Sequence, residues 1–267
     1  MRKVIGFLIC VLIFSITNAQ EIVKLDNVSY TIFLPKNSNG MAVLCCPGGG
    51  YETVCDEHEG KGWAEEINQM GVAWIVVNYQ LPNGNPKIPF ESVETAMKHV
   101  KANAQKYHIN PHQIGIAGFS AGGHLAATYT RYSSKNLRPA FQILFYPVIT
   151  MDSSFTHLGS RHHLLGDNPS EKMVQKYSLE KQPPKNIPST IIFVSNDDNV
   201  VPKTNTTLYG YNALKNDETC KDFRTVIFPE GKHGWGNSKT FNYHDEVIIN
   251  LKNFFENWQF EHSSQTK

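Results

Sequence analysis

Ile114-Gly115-Ile116-Ala117-Gly118-Phe119-Ser120-Ala121-Gly122-Gly123 joins an apolar, strand-like run to an Ala-rich helical pattern, with a serine at the corner. The pentapeptide Gly-x-Ser-x-Gly at 118–122 also occurs in ordinary turns, so its setting carries the weight. A serine on a sharp strand-to-helix turn is held in a strained backbone conformation, and small neighbours let other backbone pass close by, so that Oγ projects at the end of the sheet. The helix that follows points its first N–H groups at charge developing beside that oxygen. Ser120 is therefore the candidate nucleophile. His124, one turn into the helix, reads as packed against the sheet.

Working outward, Cys46-Pro47-Gly48-Gly49-Gly50-Tyr51 directly follows the apolar run Met41 to Cys46. Three glycines let backbone approach a carbonyl oxygen without interference from Cβ. The N–H groups of Gly49, Gly50 and Ala121 are the candidate oxyanion donors. No Lys-Ser or Lys-Thr follows the glycines, which excludes a phosphate-binding P-loop.

The remaining chain alternates β-rich runs with helical patterns. Strands are expected at Tyr30 to Leu34, Met41 to Cys46, Ala73 to Asn78, Ile114 to Phe119, Phe141 to Tyr146, Ile191 to Val194 and Arg224 to Phe228. Helices are expected at Gly60 to Met70, Glu91 to Tyr107, Ala121 to Tyr132, Thr204 to Lys215 and Tyr243 to Trp258. Continuous apolar strands separated by helices specify an α/β fold with a mostly parallel sheet covered on both faces. The stretch Thr150 to Pro188 has no clean period beyond a helix at Ser170 to Tyr177. A long insertion there is expected to form part of the site wall.

Beyond this elbow an acid and then a histidine are expected, on loops after late strands. Asp197 and Asp198 follow the run Ile191 to Val194, and both satisfy that order. His233 follows Arg224 to Phe228 in Pro229-Glu230-Gly231-Lys232-His233-Gly234-Trp235-Gly236, a loop able to carry an imidazole over the sheet's end. Among eleven histidines it alone occupies that place. The implied chemistry is nucleophilic: the imidazole takes the serine proton during attack on an ester carbonyl, and the acid fixes its tautomer. His157, His162 and His163 lack metal-ligand spacing, so neither a metal nor an organic cofactor is expected.

At the amino end, Arg2 and Lys3 precede the apolar run Val4 to Ile16, and Thr17-Asn18-Ala19 follows it. This is the pattern of a secretory signal peptide cleaved after Ala19, and the run is shorter than the ~20 apolar residues of a membrane span. The expected organisation is a signal peptide at 1–19 and a single catalytic domain at 20–267, secreted or periplasmic, with no membrane association after cleavage. A net charge of +1 supplies no footprint for nucleic acid and points to a neutral small molecule or polymer. Cys45, Cys46, Cys55 and Cys220 are too few and too scattered for a disulfide framework. Cys45 and Cys46 should face opposite sides of a strand.

Taken together, Cys-Pro-Gly-Gly-Gly-Tyr at 46–51, His58-Glu59-Gly60, Asn78-Tyr79-Gln80-Leu81-Pro82, the Ser120 elbow, Gly159-Ser160-Arg161 with Leu164-Leu165-Gly166, Tyr177-Ser178-Leu179-Glu180, and the Asp198 and His233 segments resemble the bacterial acetyl xylan esterase and lipase-like branch of the α/β-hydrolases. The resemblance covers essentially all of residues 20–267. It implies the α/β-hydrolase fold and removal of small acyl groups, chiefly acetyl, from xylan or related polysaccharide. Its Asp-x-Val-Val-Pro pattern assigns the acid to Asp198. Pro47 replaces the histidine usual before such glycines, and Gln80 replaces an arginine common in relatives. Tyr51 and Trp235 are candidate platforms for stacking on sugar rings. A feruloyl or general short-chain esterase, a peptidase and an inactive carbohydrate-binding protein are the competing readings.

Overall fold

The computed structural model describes residues 19–183, 187–216 and 222–263. Residues 1–18 of the signal segment expected at 1–19, and Cys220, lie outside the described residues. Eight strands form one sheet: β1 (Ala19–Lys24), β2 (Val28–Leu34), β3 (Ala42–Cys46), β4 (Ala73–Tyr79), β5 (Ile114–Phe119), β6 (Phe141–Phe145), β7 (Ser189–Ser195) and β8 (Phe223–Phe228). Their order is β1-β2-β4-β3-β5-β6-β7-β8. The β1–β2 and β2–β4 pairs are antiparallel, and every pair from β4 through β8 is parallel.

Both faces of the sheet are covered, and strand alternation divides the core in two. On β3, Ala42, Leu44 and Cys46 join the layer under α2 (Lys87–Ala102) and α3 (Ser120–Tyr132). Val43 and Cys45 join the opposite layer under α1 (Ala64–Gln69) and α7 (His244–Ser263). The two adjacent thiols thus face opposite sides, both buried and both free. Helix α2 starts four residues before the apolar pattern indicates, because Pro89 falls in its first turn, where a missing N–H costs no helical bond.

The insertion between β6 and β7 contains α4 (Leu158–Leu165), which the sequence reading lacked, and α5 (Glu171–Tyr177), which begins one residue later than expected because Ser170 caps it. Buried polar groups lace it to the core. Asn205, in α6 (Thr204–Asn216), accepts from the N–H groups of Ile149 and Thr150 and donates to the Phe155 carbonyl. Thr150 Oγ1 donates to Glu180 at 2.7 Å, and Ser178 Oγ accepts from the Met151 N–H at 3.0 Å. Burial pushes the Glu180 carboxyl up from its ordinary range.

Candidate active site

Strand β5 ends at Phe119 in extended backbone, and α3 begins at Ser120, whose φ is +50°. An L-residue in this region is strained, and the surrounding packing holds it there. Gly122 explains how the corner is built: a Cβ at this position would lie 2.1 Å from the Cys46 carbonyl oxygen and 2.2 Å from that of Pro47. Only glycine lets the loop after β3 cross the elbow so closely. From the other side, a Cβ on Gly48 would lie 3.0 Å from the Ser120 Cβ, so this loop rests directly on the serine.

His233 Nε2 lies 2.8 Å from Ser120 Oγ, and His233 Nδ1 lies 2.7 Å from Asp198 Oδ2. A carboxylate only accepts, so the proton between Asp198 and His233 belongs to Nδ1. Nε2 then carries the lone pair that receives the Ser120 hydroxyl hydrogen. The other carboxylate oxygen of Asp198 accepts from the N–H groups of Val200 and Val201 at 2.9 and 2.8 Å. With its side chain only 2% exposed, Asp198 is oriented by its own turn. Asp197 instead accepts from the Lys232 N–H at 2.8 Å, outside the hydrogen-bonded row, and so steadies the histidine loop.

In the glycine loop, the Gly48 N–H is taken by Glu59 Oε2 at 2.9 Å. The carbonyls of Gly49 and Gly50 are also engaged, the first by the N–H groups of Glu52 and Thr53, the second by His163 Nδ1 at 2.9 Å. Tyr79 holds the Pro47 carbonyl at 2.7 Å. Among the described residues, the N–H groups of Gly49 and Gly50 have no protein partner. The Ala121 N–H lies in the first turn of α3, where no helical carbonyl reaches it. These three donors are therefore available to an oxyanion beside Ser120.

His157 and His163, set aside in the sequence as non-ligands, wall this loop. His157 Nδ1 accepts from the Ser160 N–H and caps α4, and its ring carbon Cε1 is 3.7 Å from where a Cβ on Gly50 would stand. Burial, then the charges of His233 and His163, hold the His157 imidazolium below its ordinary range. Beside them Tyr51, Leu81, Asn83, His162, His163 and Asp167 line a cleft of about 350 Å³. A neighbouring groove of about 540 Å³ shares Glu52 and Leu81 with it and reaches Gln80. Another cavity, about 500 Å³, lies behind the histidine loop against His58, Asp197, Lys232 and Trp235. Among the described residues no group of three His, Cys, Asp or Glu side chains is placed to hold a metal ion.

Two expectations are corrected. Tyr51 is buried, with its hydroxyl 2.9 Å from His124 Nδ1 and its ring edge-on to Tyr79. Trp235 is buried against Phe241, the ring planes 5° apart and the centroids 4.4 Å apart, and Nε1 donates to Ser195. Each borders a cavity, but with only 2% and 6% of the residue exposed neither presents its ring for stacking on a sugar.

His124 is buried between Tyr51 and the Tyr177 carbonyl, the latter 2.8 Å from Nε2. The carbonyl requires Nε2–H, so Nδ1 accepts from the Tyr51 hydroxyl, and the neutral ring satisfies both. Burial lowers its pKa from 6.5 to about 4, against an opposing effect of the Tyr177 hydrogen bond. The unfolded chain takes up this proton first, so the stability is whole above pH 6.5 and is lost as pH falls toward 4. Between pH 7 and pH 4.5 this one group should remove about 2 to 3 kcal/mol. Urea unfolding at both pH values checks it: His124→Gln, less stable at pH 7, should lose less on acidification than wild type.

The sequence profile of the alpha/beta hydrolase fold family matches residues 44–221, more than half of the chain. The chain belongs to the alpha/beta hydrolase fold family. Within this family it is 38% identical to an acetylxylan esterase of Xylanibacter ruminicola, over 84% of this chain and 47% of that protein. It is 36% identical to endo-1,4-beta-xylanase B of Butyrivibrio fibrisolvens, over 72% of this chain and 32% of that protein. The chain thus spans half or less of the length of these curated relatives. Among solved structures, an acetyl ester-xyloside bifunctional hydrolase from Caldicellulosiruptor lactoaceticus superposes with a TM-score of 0.78 at 29% identity, covering 87% of this chain and 89% of that one. The order of the eight strands and the serine elbow after β5 are those of this alpha/beta hydrolase framework.

Proposed function

We propose that this chain is a serine carboxylesterase that removes acetyl groups from xylan or a related plant polysaccharide, with Ser120, His233 and Asp198 as its catalytic residues. The hydrogen-bonded row from Asp198 through His233 to Ser120 carries the proposal. Ser120 Oγ attacks the ester carbonyl as His233 Nε2 takes its proton, and Asp198 stabilises the imidazolium. The charge on the carbonyl oxygen meets the N–H groups of Gly49, Gly50 and Ala121. His233 then returns the proton to the departing sugar oxygen, which leaves as a hydroxyl, and water repeats the sequence on the acetyl-enzyme.

The acetyl and xylan part of the proposal is supported by the names of the relatives and by the mixed cleft beside Gly50, in which Asn83, His162, His163 and Asp167 offer hydrogen-bonding groups to a neutral, hydroxyl-rich molecule. The amino-terminal pattern supports export, with residues 20–267 as the catalytic unit. Incubating the protein with acetylated xylan, feruloylated arabinoxylan and a peptide anilide, with Ser120→Ala as control, tests the proposal. Acetate release by the wild type alone is the expected result. Ferulate or anilide release without acetate would move the reading to those enzymes. Retention of polysaccharide without any cleavage would make it a binding protein.

A further inference from the structure

The sequence block His58-Glu59-Gly60 takes part in none of the steps above, yet it lies between the two loops that meet at Ser120. Glu59 is only 4% exposed, and among the described residues no cation pairs with it. A carboxyl group buried without a counter-charge is costly unless hydrogen bonds satisfy it. Here both oxygens accept: Oε2 from the Gly48 N–H at 2.9 Å and Oε1 from the Tyr146 hydroxyl at 2.7 Å. Tyr146 Oη in turn accepts from the Gly236 N–H at 3.0 Å, in the loop that carries His233. The edge-to-face contact of the Tyr146 ring with His233, centroids 4.8 Å apart, completes the connection. The backbone adds a strut, because the His58 carbonyl accepts from the Asn237 N–H at 2.9 Å.

Tyr146 occupies this place at a backbone φ of +35°, unusual for a bulky residue immediately after a strand. The surrounding structure holds that strain, as is common where function requires a fixed geometry. Burial first, and then the Glu59 charge, raise the Tyr146 phenol well above its ordinary value, so it keeps its proton and donates. Binding of the Gly48 N–H by Glu59 also orients the next two peptides, whose N–H groups are the free ones.

We infer that Glu59 and Tyr146 are positioning residues that hold the Gly48–Gly50 loop and the His233 loop in register around Ser120. The inference rests on the serine-esterase reading of this site. Glu59→Gln keeps the size but, with its amide oxygen on the Gly48 N–H, turns an NH₂ toward Tyr146, so the phenol must accept from it beside the Gly236 N–H and loses its own acceptor, and the pair of loops loosens. Tyr146→Phe keeps the ring on His233 and removes both hydrogen bonds of the hydroxyl, the one to Glu59 and the one from Gly236.

The experiment is steady-state hydrolysis of 4-nitrophenyl acetate by wild type, both single variants and the double variant, with inhibition by phenylboronic acid as a probe of the tetrahedral site. Glu59→Gln should lower kcat about 10- to 100-fold and weaken boronate inhibition comparably, with KM within about threefold, because the donors act on the tetrahedral species. The double variant should resemble Glu59→Gln alone, since residues in one network are not additive. A merely structural Glu59 would lower the melting temperature and leave kcat and boronate affinity of the folded protein within twofold, which overturns the inference. Fully multiplicative losses in the double variant do the same. If Glu59→Gln does not fold, Tyr146→Phe carries the test on the same kcat and boronate readouts. Ser120→Ala separates the two levels: its retention of wild-type rate would remove the esterase reading itself, whereas an inactive Ser120→Ala beside an unimpaired Glu59→Gln removes only this inference.

Discussion

Ser120→Ala should lower kcat/KM for 4-nitrophenyl acetate by about 10⁴- to 10⁶-fold, the range found when the nucleophile of a serine hydrolase is deleted. The substitution removes one oxygen and leaves Cβ in place. Alanine tolerates the positive φ of residue 120 about as poorly as serine does, so the elbow's strain is unchanged. What is lost from the fold is one hydrogen bond to His233, worth about 1 kcal/mol, and a melting shift of no more than about 4 °C is expected for a chain of this size. Circular dichroism and loss of fluorophosphonate labelling complete the measurement. Hydrolysis within tenfold of wild type would remove Ser120 from the mechanism.

Asp198→Asn should cost about 10⁴-fold in kcat, against about threefold or less for Asp197→Asn. The asymmetry follows from hydrogen-bond roles. Asp198 Oδ1 is committed to the N–H groups of Val200 and Val201, so an asparagine must place its carbonyl oxygen there and its NH₂ toward His233. A donor facing Nδ1 forces the imidazole proton onto Nε2, where it confronts the Ser120 hydroxyl hydrogen and can no longer receive it. Asp197→Asn keeps an oxygen for the Lys232 N–H and changes no proton position. Comparison of the two variants on one ester settles the acid, and an equal or larger loss for Asp197→Asn would reverse the assignment.

What could be read from the sequence was what is encoded locally. The elbow at Ser120, the glycine loop and the order of Asp198 and His233 are short patterns whose geometry follows from neighbouring residues. Strand β1 was missed because it is an edge strand of six residues close behind the apolar run Val4 to Ile16, with Ile22 63% exposed and little buried periodicity to mark it. Helix α4 was missed for a related reason: Leu158 is 59% exposed, and an imidazole rather than a common capping residue starts the helix. The Glu59–Tyr146 and His163–Gly50 contacts join residues 87 and 113 positions apart, a pairing no local pattern predicts. Tyr51 and Trp235 failed as sugar platforms because an aromatic residue near a site is a platform only if nothing covers it. Phe241 and the Tyr51–His124 bond could be known only from packing.

The fastening of the insertion has a further consequence for how such a chain diversifies. After Tyr146, whose N–H donates to the Phe193 carbonyl of β7, the described backbone up to Ser189 contributes no rung to the sheet, and it is secured by a few buried polar bolts at Thr150, Ser178, Glu180 and Asn205. The intervening stretch around α4, which carries His162 and His163 to the cleft, is a cassette mounted on that chassis of bonds. Libraries that vary residues 158–176 while sparing those bolts and His163, which holds the Gly50 carbonyl, are expected to change which molecules enter and to leave the row from Asp198 through His233 to Ser120 in place.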